Sequence, residues 1–380
     1  MKDHLKRTRH GQCSGNGRRS LCRVLTRRPL AILVLVLALA GCAVTASPSR
    51  PGPARSPVTA HVSPAANPVS GHAPRDITLA FAGDVNFAKR TRKLLKHPAS
   101  AFGPVSRVLG SADFTAVNLE TAVTTRGTPQ PKQFHFRTTG KAFTAIRDAG
   151  IDLVTMANNH VLDYGQTGLR DTLAAVRAAR FPYVGIGVNA RAAWAPRITT
   201  IKGTRIAVIG VSQVAELAPS WVATRHRPGE ANSINTRRTL AAVRSARKHA
   251  DVVIVFMHWG TEGQACPDPD QLALAPRLAH AGASIIIGAH AHVLQGSGWL
   301  GHTFVAYGMG NFLWWEHSYS TATGVLKLTL RPHGRPLQAR FIPAVVSSAG
   351  QPVPLHGARA RRATRSYASL RSCADLSARP

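Results

Sequence analysis

The chain has 380 residues, 44% of them hydrophobic and 17% charged, enough apolar surface for a sizeable core, which excludes a small stapled scaffold and a wholly disordered polymer. It carries 48 Lys and Arg against 17 Asp and Glu, a net charge of +31, with nine basic residues in 1–29 and nine in 331–380, each set against one acid. About half of the excess therefore sits in the termini. No zinc finger, helix-turn-helix or RNP-like aromatic stretch accompanies it, so nucleic acid is not an expected partner.

In chain order, basic residues up to Arg28 lead into Leu30 to Gly41, an uncharged apolar run of twelve. That is short for a bilayer span of ~20 residues and typical of a signal peptide. The run closes on Leu39-Ala40-Gly41-Cys42, which resembles a bacterial lipobox. Residues 1–41 are therefore expected to be a lipoprotein signal peptide and Cys42 the lipidated residue, on the outer face of the bacterial cytoplasmic membrane. Thr26-Arg27-Arg28-Pro29-Leu30 looks like a twin-arginine motif, so the export route stays open between that and Sec.

Residues 42–75 include seven prolines among small and polar residues and read as an extended tether. Of the five cysteines, Cys13 and Cys22 fall in the leader and Cys42 carries lipid. Cys266 and Cys373 are left in an oxidising compartment, where a disulfide between them is expected.

Beyond the tether come six apolar, mostly β-branched runs bounded by Gly, Asp or Asn: Ile77 to Ala82, Phe114 to Asn118, Ile151 to Met156, Arg205 to Val211, Val252 to Met257 and Ser284 to Ile287. They predict central strands. Ala142 to Ala149, Thr167 to Arg180, Thr236 to His249 and Asp270 to Ala281 place apolar residues three and four apart with arginines outward, the pattern of solvent-facing helices. The fold class is α/β, with central sheets flanked by helices. The runs Thr303 to Tyr307 and Gly324 to Leu330, with no helix between them, predict a C-terminal antiparallel portion. The domain is expected over 76–346, and beyond it an Arg/Ala-rich tail over 347–380, loose apart from whatever Cys373 ties down.

The informative residues sit just past the strands, because in an open α/β sheet the carboxyl ends converge on one crevice. The ends read Gly83-Asp84-Val85-Asn86, Asn118-Leu119-Glu120, Asn158-Asn159-His160, His258-Trp259-Gly260 and His290-Ala291-His292. Two carboxylates, several asparagines and a set of histidines supply oxygen and imidazole ligands for two divalent cations sharing a bridging carboxylate. Any one alone has a plainer part to play: Asp84 as a cap, Asn158 and Asn159 as turn formers, His258 as a buried core histidine.

With Phe134-His135-Phe136-Arg137, His258-Trp259-Gly260-Thr261-Glu262 and Tyr307-Gly308-Met309-Gly310-Asn311-Phe312 added, the ordered motifs over roughly Asp76 to Pro343 resemble the CapA family of capsule and poly-γ-glutamate synthesis proteins. The resemblance implies a layered metallophosphatase-like domain of the calcineurin type. It implies Asp84, Asn86, Glu120 and His292 around one metal, and Glu120, Asn159, His258 and His290 around the other. His160 would stabilise the transition state or protonate the leaving group, with Asn159 beside it. Two departures from the calcineurin-type pattern stand out: Asn86 replaces a histidine and Glu120 an aspartate.

Arg137 suits a phosphate or carboxylate of the substrate, and Asn118, Asn158, Glu262 and Asn311 are expected to support the ligands from behind. Mixed oxygen and imidazole ligation favours Mn, Fe or Zn. The expected partners are an anionic polymer such as poly-γ-glutamate, the membrane through the lipid anchor, and subunits of a membrane-bound polymer synthase. Three functions remain open: a lipid-anchored protein of the synthesis, export or processing of that polymer with a dinuclear-metal hydrolase site, a metal-dependent phosphoesterase for a small phosphoester or lipid-linked phosphate, and a non-catalytic polymer-binding subunit of a membrane synthase.

Overall fold

Alternating side-chain direction along the first strand, Ile77–Val85, sets up the layers. Ile77, Leu79 and Phe81 belong to one buried cluster with Ile254, Phe256 and Ile285 of a second sheet. Ala80 and Ala82 belong to another, with Phe143 and Leu169 of the flanking helices. The outer face of the second sheet, with Val253, Val255 and Met257, packs on Val243, Leu274 and Leu278 of two further helices. The order is helix, sheet, sheet, helix. These features come from a computed structural model, which describes residues 76–380 apart from 235, 332, 333 and 335. The expected signal peptide, Cys42 and the tether lie outside the described residues.

In the first sheet, Ile77–Val85, Phe114–Leu119, Leu153–Thr155 and Tyr183–Val184 run parallel in that order. Ala322–Leu330, Pro336–Val346 and Pro352–Pro354 extend its other side antiparallel. In the second, Thr204–Ser212, Val252–Trp259, Ile285–His290 and Thr303–Ala306 run parallel, with antiparallel Arg197–Ile201 and Ser297–Leu300 at the edges. The predicted strands and helices fall within a few residues of those observed. The helices are Lys141–Asp148, Gly165–Ala178, Thr236–Arg247 and Pro269–His280.

The expected C-terminal antiparallel portion is formed by Ala322–Leu330, Pro336–Val346 and Pro352–Pro354, which add to Ile77–Val85 within the first sheet, while Thr303–Ala306 joins the parallel run of the second. One expectation is corrected: 347–380 is not loose. It forms the strand Pro352–Pro354, the helix Gly357–Ser369 and the turn Leu370–Cys373. Tyr367 stacks on Phe341 with ring centroids 3.9 Å apart, and Ser377 pairs with Trp299 through both backbone groups. Cys373 is bonded to Cys266, with the Cα atoms 5.6 Å apart. The helix escapes periodicity analysis because Tyr367 is its only buried residue; alanine and arginine propensity forms it, and tertiary contacts hold it in place.

Candidate metal centre

Two glycines let backbones approach closely enough to assemble the crevice. A Cβ on Gly83 would lie 1.8 Å from Gly310 O, and one on Gly288 would lie 1.7 Å from Tyr307 O. Asp84 N–H donates to Gly310 O at 3.0 Å, just past an irregularity in the first strand's pairing. Asp84 is thereby fixed at the carboxyl end of the first sheet, opposite His258 and His290 at the ends of the second. His290 and His292 both have positive φ, +90° and +57°. Non-glycine residues seldom adopt this geometry, which costs of order 1–3 kcal/mol each and clusters at functional sites.

Asp84, Glu120, His258, His290 and His292 are all buried. Their ligand atoms fall into two groups in which every atom lies within 4.8 Å of the others: Glu120, His290 and His292, and Asp84, Glu120 and His258. Glu120 belongs to both. His292 and His290 thus share a group, whereas the resemblance assigned them to different metals. Glu120 Oε1 is 3.7 Å from His258 Nε2, 3.8 Å from His160 Nε2 and 3.9 Å from His292 Nε2. It is buried with no hydrogen-bond partner, as is His290 Nδ1. Buried oxygen and nitrogen atoms without hydrogen-bond partners, on residues whose ligand atoms cluster, fit a divalent cation.

Electrostatics agree. Burial, followed by the neighbouring Asp84, holds the Glu120 carboxyl well above its ordinary range. Burial and then the surrounding cationic groups pull His258, His290 and His160 well below theirs. Neutral imidazoles are the form that ligates metal, and a bound cation would favour ionised Glu120.

The supporting residues are equally specific. Asn118 Nδ2 donates to Asp84 Oδ1 at 2.8 Å and to His258 Nδ1 at 3.2 Å. Asn158 donates to Asn118 Oδ1 and to Leu119 O, holding that asparagine in place. Asn159 Oδ1 lies 2.8 Å from His258 Nε2, and Asn311 Oδ1 lies 2.9 Å from His292 Nδ1. Glu262 reaches the rim, 3.9 Å from His292 Nε2, and accepts from the Tyr319 hydroxyl. Trp314 packs on His292 with ring centroids 4.6 Å apart.

Two expected site residues are held by other partners. Asn86 Nδ2 donates to Glu120 O at 3.0 Å and its Oδ1 accepts from Ala88 N–H at 2.7 Å, so its side chain braces the backbone beside Glu120. Arg137 is outside the ligand cluster: its guanidinium lies over the Tyr164 ring, 4.6 Å from the centroid, and lines a neighbouring groove.

Sequence reasoning missed Asp163 and Lys132. Asp163 Oδ2 lies 2.7 Å from His160 Nδ1 and accepts from Phe136 N–H. Lys132 Nζ is 3.2 Å from Asp163 Oδ1 and 2.9 Å from Glu216 Oε2, and also donates to Asn159 O. Burial pushes the Asp163 carboxyl up to about 7, with Lys132 opposing. Phe136 stacks on His160 at 4.1 Å and meets Trp315 at 5.5 Å, and the Lys89 ammonium sits over the Trp315 ring at 3.7 Å. The spacing of His160 and Asp163, three apart in a turn, was the available signal.

Comparison with known proteins fixes the lineage. Residues 78–314 match the family described as bacterial capsule synthesis protein PGA_cap. The chain belongs to that family. It is 29% identical over 280 residues to the capsule biosynthesis protein CapA of Bacillus anthracis, covering 70% of this chain and 67% of that one. It is also 29% identical over 243 residues to the PGA biosynthesis protein CapA of Bacillus subtilis, covering 62% and 63%. The family member thus spans about two thirds of the length of these relatives. Among solved structures it is similar to a phosphatase from Mycoplasma pneumoniae, with TM-score 0.45, 14% identity, and 72% of this chain and 95% of that one covered. A 5'-nucleotidase precursor from Thermus thermophilus gives TM-score 0.44 and 16% identity over 78% and 59%. Likeness at this level says nothing about activity.

Proposed function

We propose that this chain serves the synthesis, export or processing of an anionic cell-surface polymer such as poly-γ-glutamate, through a hydrolase centre holding two divalent cations. Family membership supports the pathway. The observation that carries the chemistry is Glu120, shared by two ligand groups with its Oε1 left without a hydrogen-bond partner in a buried crevice. Bound cations would supply a Lewis acid and an acidified water there.

The chain's own residues do the rest. Asn118 and the His290 N–H orient the Asp84 carboxylate. Asp163 accepts from His160 Nδ1–H, which leaves Nε2 toward Glu120 as the atom that can exchange a proton with a leaving group. Lys132, buried against Asp163, favours the ionised form of that carboxylate and so fixes the histidine's tautomer. Cys42 and the leader would anchor the protein outside the cytoplasmic membrane. Removing 1–41 takes nine basic residues and one acid from +31, leaving +23 for a polyanionic partner.

Metal content of the purified protein beside a His290→Ala/His292→Ala variant tests this. About two equivalents in the wild type, lost in the variant, are expected; metal absent from both after loading with Mn or Zn overturns the centre. The engagement of the Asn86 amide with backbone groups weakens one implied ligand and supports a second reading, a non-catalytic polymer-binding subunit. In that case the same double variant leaves polymer production unchanged.

A further inference from the structure

Beside the metal centre runs a groove of about 570 Å3 whose charged lining is entirely cationic: Lys89, Arg92, Lys93, Lys96, Arg137 and Lys141. None of the six is in an ion pair among the described residues, in contrast to Arg126, Lys202 and Arg205, which pair with aspartates. Lys89 and Arg137 instead lie over the rings of Trp315 and Tyr164. Thr138 also lines the groove; it is 4% exposed, yet its Oγ1 has no hydrogen-bond partner. Six unneutralised cations beside an orphaned buried hydroxyl have the chemistry of an anion site awaiting its ligand.

We infer that this groove binds a run of carboxylates along an anionic polymer and holds the chain against the metal centre. The inference rests on the function proposed above and deepens it. Four of the six cations are lysines, whose mobile ammonium groups meet flexible, repeating carboxylates without a fixed fork geometry. The groove is joined to the catalytic side of the crevice by ring contacts: Lys89 over Trp315, Trp315 against Phe136, and Phe136 stacked on His160. Arg137, outside the ligand cluster, finds its part here, one residue from Phe136. A polymer seated in the groove would release counterions from a linear polyelectrolyte, so its binding should weaken steeply with salt.

The test is fluorescence anisotropy of labelled poly-γ-glutamate of uniform length with the purified protein, over a salt series. Lys93→Glu/Lys96→Glu alters the groove without touching any metal ligand. Arg361→Glu/Arg362→Glu makes the same change in net charge on the exposed C-terminal helix. The groove pair is expected to weaken binding by about tenfold or more and to flatten the salt dependence, while the helix pair changes it by less than about threefold. Lys93→Arg/Lys96→Arg should bind as the wild type does, and thermal melting checks that each variant is folded. Equal losses in both reversal pairs, or none in the groove pair, overturn the groove while leaving the polymer function standing. Loss of binding to phosphatidylglycerol vesicles with polymer binding retained also overturns it, in favour of a membrane surface. A wild type that retains no polymer at physiological salt overturns the polymer function itself.

Discussion

The two halves of the same strands do opposite work. Along Ile77–Val85 and Val252–Trp259 the leading residues, among them Phe81, Ile254 and Phe256, fill an apolar layer between the sheets. The trailing residues, Asp84 and His258, enter a layer of carboxylate, amide and imidazole where Glu120 Oε1 and His290 Nδ1 have no hydrogen-bond partner. Stability and chemistry are thus separated along a strand by only a few residues, and substitutions should separate them too.

The largest effect on stability is expected in the apolar half. Phe256→Ala leaves a cavity between the sheets and should lower unfolding free energy by about 3–5 kcal/mol, with metal stoichiometry kept, as denaturant titration and metal analysis would show. Comparable loss of bound metal would break the separation. The converse is Glu120→Gln. It should lower metal affinity by more than about 100-fold, since even outer partners of a ligand account for 10–100-fold, while the metal-free protein melts no lower than wild type. The neutral amide replaces a carboxyl that burial already holds above its ordinary range.

The smallest effect sharpens the comparison at Glu230, a buried acid that belongs to neither half. Burial pushes its carboxyl up to about 8, and its Oε2 has no partner. The folded state therefore keeps a proton that the unfolded chain releases near 4.5. Its contribution is full below that pH and is lost as pH rises toward 8, so the wild type should weaken across this window. Glu230→Gln should flatten that slope and be more stable at pH 8 by up to about 2 kcal/mol, read from melts of both proteins at matched pH. A parallel pair of pH curves would show that Glu230 ionises freely in the fold.

The strands were legible because β-branched apolar runs such as Val252 to Phe256 have few alternatives once bounded by polar residues. The site was legible as a set because ligand-type residues recur at successive strand ends, and the structure brings Asp84, Glu120, His258, His290 and His292 together. The rest depends on contacts that spacing does not encode. Asn86 resembles a ligand by position, but its amide hydrogen-bonds the backbone of Ala88 and Glu120. Lys132 comes from a proline-flanked loop and reaches Asp163 only through tertiary packing. The helix Gly357–Ser369 is polar on nearly every face, so nothing in its pattern marks where it docks.

Of the chain's six tryptophans, two stand at the boundary between these regions and are lit by different events. Trp314 rests on His292, within reach of whatever the imidazoles hold, and Trp315 lies beneath the Lys89 ammonium on the groove side. Indole emission is sensitive to a nearby cation and to local polarity, so the protein carries its own optical reporters. A change that disappears with Trp314→Phe would register occupation of the crevice, and one that disappears with Trp315→Phe would register arrival of an anionic chain. The order in which the two signals appear after mixing would tell whether cation or polymer comes first.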